Sequence, residues 1–226
     1  DRAGGGQIEA RGSAGERLDL SVRILRLPLA IAAIFVPDMA PTGTLDAEAK
    51  ITGTPAAPEG RVTATVRGAG LPTTPKADMT AEATLSGGQL RANATLTSGA
   101  NARLTLVANG AMAAPQTGRA TIDGTISLAL LDPLLAPDGR QARGTIRLSL
   151  AAENQRLSGE ARIADARFSD GVLGVALGGI SGTVSGQGEV LRVDISARTG
   201  AGSLSLAGTV RPMEPGMPVD LRLAAD

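Results

Sequence analysis

Short runs in which apolar and polar residues alternate extend along the whole chain, separated by glycine and proline. GTIRLSLA (Gly144–Ala151) is typical, because Ile146, Leu148 and Leu150 alternate with threonine, arginine and serine. EVLRVDISAR (Glu189–Arg198) has the same form. Period-two alternation is the pattern of half-buried antiparallel strands, and roughly fourteen such runs, spaced by roughly 8–14 residues, are typical of a meander. The sequence therefore predicts an all-β protein built from a long antiparallel meander.

Two nearly continuous apolar segments interrupt this alternation. They are LRLPLAIAAIF (Leu25–Phe35) and ISLALLDPLLAP (Ile126–Pro137), and each contains a proline. We predict that each forms a short buried helix of about two turns or a bend in a strand. A Gly-Thr strand follows each segment, beginning at Gly43 and at Gly144, which are 101 positions apart. This spacing suggests that residues 1–226 are a fragment of one domain with two possible repeat units, 1–115 and 116–226.

The apolar positions of the alternating runs are aliphatic. Only 1% of the residues are aromatic, with two Phe and neither Tyr nor Trp, whereas a β-sandwich fills a core about 10 Å thick, usually with some aromatic bulk. Two interpretations stay open: leucine and valine pack together in a closed core, or they line a groove filled by something apolar that is not protein. For the groove we predict a lining of Ile146, Leu148, Leu150, Leu191, Val193, Ile195, Leu204 and Leu206.

Histidine and cysteine are both absent from the sequence. Their absence removes histidine-based acid–base and nucleophilic machinery, ordinary zinc sites and disulfides. No acidic loop of the calcium-binding type occurs either. The carboxylates that could form a catalytic pair lie mostly at predicted turns and strand ends, where Asp favours local hydrogen bonds; they are Asp123, Asp132, Asp138, Asp165 and Asp170. We therefore expect no enzyme activity, no metal and no cofactor.

Charge and hydropathy narrow the class of protein further. The 22 basic residues balance the 22 acidic ones and are spread evenly, which argues against a nucleic-acid partner. Arg147, Arg162, Arg192 and Arg222 alternate with apolar residues, so we expect them on a solvated outer face. No run approaches the eighteen or so apolar residues of a membrane helix. The chain opens without an initiator methionine or a signal-like segment, and we expect an internal piece of a longer protein.

Glycines and alternating apolar residues recur in a fixed order between residues 156 and 210. The order is carried by Gly159, Ile163, Asp165, Phe168, Ile180, Gly182, Leu191, Val193, Gly200, Gly202, Leu204, Leu206 and Gly208. In this pattern the chain resembles the TamB family of translocation and assembly module proteins. The upstream stretch LPLAIAAIFVPDMAPTGTLDAEAKITGTPAAPEG also resembles the family's short apolar bend, G-x-L strand and G-T-x-x-x-P break. One departure is RLSG, which stands where the family usually has a proline before Ser-Gly.

The resemblance implies a fold and a function. Members of the family are anchored in the inner membrane by one N-terminal helix and cross the periplasm as a long β-sheet curled into a U-shaped groove, the β-taco. They are similar to AsmA-like and chorein-type bridge proteins, which carry phospholipid between membranes along an apolar groove. They dock with an outer-membrane barrel of the Omp85 class, which is TamA-like, and are implicated in autotransporter assembly. By this resemblance the chain is a periplasmic segment of a Gram-negative lipid conduit that supports outer-membrane biogenesis, with its membrane anchor outside the fragment.

Two other classes of protein stay open. An assembly factor or chaperone would use an open strand edge to pair with strands of autotransporters and other outer-membrane proteins by β-augmentation. A structural β-solenoid or adhesin piece would need a closed, filled core. Bound lipid would favour the conduit, whereas cross-links from an edge strand to a client polypeptide would favour the assembly factor.

Overall fold

A computed structural model describes residues 5–34, 41–71, 75–100, 102–114, 117–131, 135, 139–154, 156–200, 202–212, 214 and 216–226. Most of these residues lie in strands: β1 (Gln7–Ala14), β2 (Leu18–Pro28), β3 (Thr42–Thr54), β4 (Ala57–Gly70), β5 (Ala77–Ser86), β6 (Gln89–Ser98), β7 (Ala102–Ala111), β8 (Arg119–Ser127), β9 (Arg140–Glu153), β10 (Arg156–Asp170), β11 (Val175–Gly188), β12 (Val190–Thr199), β13 (Gly202–Val210) and β14 (Val219–Ala225). The structure also describes two 3₁₀ segments, η1 (Leu29–Ile34) and η2 (Leu128–Leu131).

The strands form one antiparallel sheet in which the spatial order is the chain order from β1 to β14. Every strand from β2 to β13 therefore pairs with the strand before it and the strand after it along the chain. The connections range from one residue between β11 and β12 to thirteen residues between β2 and β3. The prediction of an all-β antiparallel meander is confirmed. Because no crossover places distant strands side by side, the order of the alternating runs in the sequence is also the order of the strands in the sheet.

Both apolar segments end their strands in 3₁₀ turns. β2 continues through Pro28, and η1 begins at the next residue. Proline has no N–H to donate to a ladder, so regular strand pairing does not continue readily beyond Pro28. β8 ends at Ser127, and η2 begins directly after it. The two short bends are thus confirmed as 3₁₀ turns, and Leu135 of the second segment is α-helical. The expectation that both bends are buried is wrong for the first segment, since Ile31 of η1 is 46% exposed. Residue 35 and residues 132–134 and 136–137 of the two segments lie outside the described residues.

The chain divides into two compact units, which are described separately. Unit 1 comprises Asp1–Ala100 and Thr105–Gly118, and unit 2 comprises Asn101–Leu104 and Arg119–Asp226. Strand positions recur at the spacing noted in the sequence: β2 and β6 begin at positions 18 and 89, and β8 and β12 begin 101 positions later, at 119 and 190. The repeat boundary expected between residues 115 and 116 stays a prediction.

Unit 1 has one apolar face and one polar face. Register places Val22 opposite Ala49 and Ala49 opposite Val62, so small aliphatic side chains continue from strand to strand on one face. The other face carries cross-strand charge pairs, such as the ion pair of 2.7 Å between Arg61 and Glu82. Directly opposed residues of an antiparallel pair share a face. The alternation of apolar and polar residues within each strand of unit 1 therefore gives the sheet one aliphatic face and one charged, polar face.

Candidate functional site

The eight predicted lining residues lie on three strands of unit 2. Ile146, Leu148 and Leu150 occupy alternate positions of β9 and are half-buried, whereas Arg147 and Ser149 between them are exposed. β12 and β13 repeat this pattern with Leu191, Val193, Ile195, Leu204 and Leu206. Successive side chains of a strand point to opposite faces. Each strand therefore presents its predicted residues together on one side.

The pairing register joins these strands into continuous rows across the sheet, because directly opposed residues share a face. The first row is Ile126, Ile146, Ile163, Gly182, Ile195, Leu206 and Leu223. The second row is Gly124, Leu148, Ala161, Val184, Val193, Gly208 and Leu221. The third row is Ile122, Leu150, Gly159, Gly186, Leu191, Val210 and Val219.

We call the surface formed by these three rows the aliphatic face. Seven of the eight predicted residues belong to the rows, and Leu204 lies on the same face two residues before Leu206 on β13, opposite Ala197. No position in the three rows carries a polar or charged side chain. The structure thus brings all eight predicted residues to one surface, while their role as a lipid lining stays a prediction.

Sequence reasoning missed several members of the aliphatic face. Ile163, Val184 and Val210 lie in the rows beside the predicted residues, although they were not included in the predicted lining. Their alternation was visible in the sequence, but the pairing partners that align them with β9 and β12 were not. Register links residues far apart in the chain, so it could not be read from any single run.

The aliphatic face is only partly covered by protein. Among the described residues, no large side chain is fully buried, and the buried hydrophobic residues are Ala102, Leu128, Ala142, Ala166, Val193 and Ala197. Val193 is therefore the one predicted lining residue that is buried, at 8% exposed. The other seven predicted lining residues are half-buried. A closed core would bury the large aliphatic residues of all three rows, and this face does not.

Glycine interrupts the rows where neighbouring backbones approach closely. Gly159, in the third row, has a φ of +91°. A Cβ at this position would lie 2.0 Å from the carbonyl oxygen of Ser149 on β9. Only glycine adopts this conformation at low cost, and in strands such glycines mark bends. The aliphatic face is therefore bent locally between β9 and β10, and its larger side chains come from the neighbouring strand.

One end of the aliphatic face is covered by the chain itself. Leu128 of η2 forms a buried cluster with Ala142 and Ala166. Partly buried side chains pack against this cluster: Leu135, Ile146, Ile163, Phe168 and Ile180. This cluster is the one place on unit 2, among the described residues, where the aliphatic face has a protein cover of known identity.

The opposite face of the same strands is polar. Arg147 lies directly opposite Arg162, and Arg162 forms an ion pair of 2.7 Å with Glu160. Ser149 donates a hydrogen bond of 2.8 Å to Asp123. The expected solvated face is confirmed, since all four of its predicted arginines are exposed: Arg147, Arg162, Arg192 and Arg222.

Asp170 is the most buried of the three candidate carboxylates that the structure describes, with a side chain 4% exposed. It accepts hydrogen bonds from the backbone N–H groups of Leu173 (2.9 Å) and Val172 (3.0 Å) and forms an ion pair of 3.0 Å with Arg140. The Leu173 N–H and the Arg140 guanidinium hold the pKa of Asp170 below its ordinary value. Asp170 therefore caps the hairpin tip between β10 and β11, which is a structural role.

The two other candidate carboxylates that the structure describes, Asp123 and Asp165, are not brought together into a pair. Asp123 accepts the hydrogen bond from Ser149 on β9, and Asp165 lies in a bulge of β10. Asp132 and Asp138 lie outside the described residues. Within the described part of the chain, no group of three or more acidic side chains is placed to hold a metal ion.

Unit 1 also has a shallow surface depression of about 260 Å³, lined in part by Thr63, Thr65, Thr80 and Thr95. Thr65, Thr80 and Thr95 lie directly opposite one another on β4, β5 and β6. Hydroxyl groups in such a row satisfy one another or water. The depression therefore resembles a solvated polar surface more than a ligand pocket.

No protein-family model, no curated protein and no solved structure matches this chain. The resemblance to the TamB family accordingly stays a prediction. Among the described residues, no helix is long and apolar enough to cross a membrane.

Proposed function

We propose that the aliphatic face binds phospholipid acyl chains, and that the chain is a periplasmic segment of a TamB-like conduit between the inner and outer membranes. The observation that supports this proposal is the composition of the three rows, which contain only aliphatic residues and glycine. The same rows contain no fully buried large side chain. An apolar surface of this extent, not covered by protein, needs an apolar occupant.

The dimensions of unit 2 suit an acyl chain lying along the rows. Neighbouring strands are about 4.8 Å apart, so the seven strands from β8 to β14 extend over roughly 30 Å. One leaflet accounts for half of a bilayer hydrocarbon core of about 30 Å, so an extended acyl chain is roughly 15 Å long. An acyl chain could therefore lie wholly on the aliphatic face and move along it without leaving apolar contact.

The energetics favour movement along the face over fixed binding. Each buried CH₂ contributes about 0.8 kcal/mol, so an acyl chain is held by many equal contacts. The rows offer no hydrogen-bonding side chain at which a head group would stop. A polar head group would have to remain in water, because burying it without a partner is unfavourable. These properties are those of a conduit and provide nothing for catalysis.

A photo-cross-linking experiment in the full-length protein in cells tests this function. A diazirine-bearing aliphatic amino acid at Leu148 or Leu150 should capture phospholipid, detected by mass spectrometry of the adduct. The same residue at Arg147, which lies between them on β9 and points to the opposite face, should not. Cross-links from Leu148 and Leu150 only to other parts of the chain would show a closed core and contradict the proposal.

One alternative is an assembly factor that binds strands of outer-membrane proteins by β-augmentation. Cross-linkers on a strand edge would then capture client polypeptide during autotransporter assembly, whereas the conduit predicts lipid from the aliphatic face and no client.

A further inference from the structure

The 3₁₀ segment η2 covers part of the aliphatic face. Leu128, its first residue, is 9% exposed and is the largest side chain of the buried cluster on unit 2. The side chains that pack against this cluster include Ile146 and Ile163, which are neighbours in the first row. Ile180 packs there as well. η2 thus lies over the first-row side of the aliphatic face at β9 and β10.

Leu128 packs against small residues of the sheet. Ala142 and Ala166 are its buried neighbours on β9 and β10. Gly144 has a φ of +121°, and a Cβ there would lie 2.9 Å from the Cα of Ala166, so the two strands approach closely at this point. The hydroxyl oxygen of Ser127 accepts a hydrogen bond of 3.3 Å from the N–H of Ala129, which fixes the start of η2. The position of η2 on the face is therefore fixed by its packing on β9 and β10 and by the hydrogen bond at its first turn.

The composition of the covered end differs from that of the open rows. Phe168, the one aromatic side chain among the described residues, packs against the Leu128 cluster. Phe168 lies outside the three rows, which contain only aliphatic residues and glycine. Aromatic bulk fills space between protein layers. It is found where η2 covers the face and is absent where a ligand would have to lie.

We propose that Leu128 sets the boundary of the acyl-binding surface. At β9 and β10, η2 excludes ligand from the first row and confines it to the second and third rows. This inference rests on the proposed lipid-binding function and specifies where on the face the ligand lies. Rows are two residues apart, or about 7 Å. Covering the first row therefore makes the surface available to acyl chains about 7 Å narrower beside Ile146, while Leu150 remains accessible to ligand.

Two positions of β9 provide a test in the full-length protein. Ile146 and Leu150 share a strand and a face and differ in whether the Leu128 cluster packs against them. With a diazirine-bearing aliphatic residue at each site in turn, Leu150 should yield phospholipid adducts and Ile146 should cross-link to η2. In a Leu128→Ala background, lipid adducts from Ile146 should rise several-fold while those from Leu150 stay unchanged. Leu90→Ala, at a residue of unit 1 that is 37% exposed, is the matched control and should leave Ile146 unchanged.

The possible outcomes distinguish the boundary at Leu128 from lipid binding by the aliphatic face. Equal lipid capture by Ile146 and Leu150 in the wild-type background would overturn the boundary and leave lipid binding standing. Capture by Leu150 but none by Ile146 in either background would show that Leu128 does not control access. Failure of both positions in both backgrounds would overturn the proposed function itself. If Leu128→Ala does not fold, Leu128→Val removes less volume from the same contact and should give a smaller rise at Ile146.

Discussion

The backbone N–H of Arg26 donates a hydrogen bond of 2.9 Å to the carboxylate of Asp46 on the neighbouring strand. Arg26 has a φ of 47° and lies in the bulge of β2, between Ile24 and Leu27. A bulge leaves an N–H group outside the ladder. Asp46 supplies the missing acceptor, and its other oxygen pairs with Arg67 on β4.

The same arrangement closes two further bulges. In β4 the N–H of Gly68 donates a hydrogen bond of 2.7 Å to Asp78 on β5. In β10 the N–H of Asp165 donates one of 3.2 Å to Ser181 on β11. Both donors have positive φ values, 62° and 48°. Bulges bend a strand and increase its twist, so side chains of the following strand fix where these strands bend.

Acid should remove the contribution of Asp46 to stability. The Arg26 N–H and the Arg67 guanidinium hold the pKa of Asp46 below its ordinary value of about 3.9. A lowered pKa in the folded state stabilises the protein fully above the ordinary value, and that stability is lost as the pH falls through the folded value. The melting temperature of Asp46→Asn should therefore lie below that of the wild type at pH 7, and the gap should narrow below pH 4.

A second Asp→Asn variant controls for the destabilisation of the whole protein by acid. Asp19→Asn alters an exposed side chain on β2, so its melting temperature should follow that of the wild type at every pH. Measuring all three proteins by circular dichroism cancels titration of the carboxylates that they share. A gap for Asp46→Asn that is the same at pH 2 and pH 7 would show that the ionised carboxylate does not stabilise the bulge.

Replacing Asp170 with alanine should loosen the hairpin tip between β10 and β11. Alanine offers no acceptor to the N–H groups of Val172 and Leu173, which are hydrogen-bonded to Asp170 in the wild type. Hydrogen exchange at these two amides should accelerate because the tip opens locally without global unfolding. Ser169→Ala, at an exposed neighbour, should leave both rates unchanged. Unchanged exchange in Asp170→Ala would mean that the cap does not hold the tip.

The strands β9 and β12 could be predicted from the sequence because their alternation is unbroken and each side chain keeps its expected face. β10 shows the limit of that reasoning. Period two continued from Ile163 would place Asp165 and Arg167 on the aliphatic face. The bulge shifts the phase instead, so Ala166 and Phe168 join the buried cluster. Ser181, which closes the bulge, is sixteen residues away, and no local pattern contains it.

The bend at Gly159 should not tolerate a side chain. Gly159→Ala would place a methyl group 2.0 Å from the Ser149 carbonyl oxygen at a φ of +91°. Strain of this kind costs roughly 1–3 kcal/mol. Gly178→Ala is the control, because a Cβ at Gly178 on β11 meets nothing within 4 Å, and its stability should change by less than about 0.5 kcal/mol. Urea unfolding measures both, and equal stability of the two variants would contradict the bend.

The two faces of β9 should respond oppositely to charge changes. Leu148→Asp places an unpaired charge among aliphatic rows, and apolar binding there would be lost. Arg147→Ser should be nearly neutral, because Arg147 is exposed and lies opposite Arg162, a like charge. We expect the Leu148→Asp protein to lose co-purifying phospholipid and to fail to complement a strain that lacks the full-length protein. The Arg147→Ser protein should retain the phospholipid and complement that strain. Equal tolerance of the two changes would refute the assignment of the faces.

Lipid capture should also vary along β12 according to exposure. Leu191 is half-buried, Val193 is 8% exposed, and Asp194 points to the polar face. A diazirine-bearing aliphatic residue at Leu191 should therefore give the most phospholipid adduct, and one at Val193 should give much less because neighbouring protein already covers it. Asp194 should give none. These sites lie within four residues, so expression and distance from the membrane are shared. Capture at Val193 equal to that at Leu191 would show that the face opens around β12 in the cell.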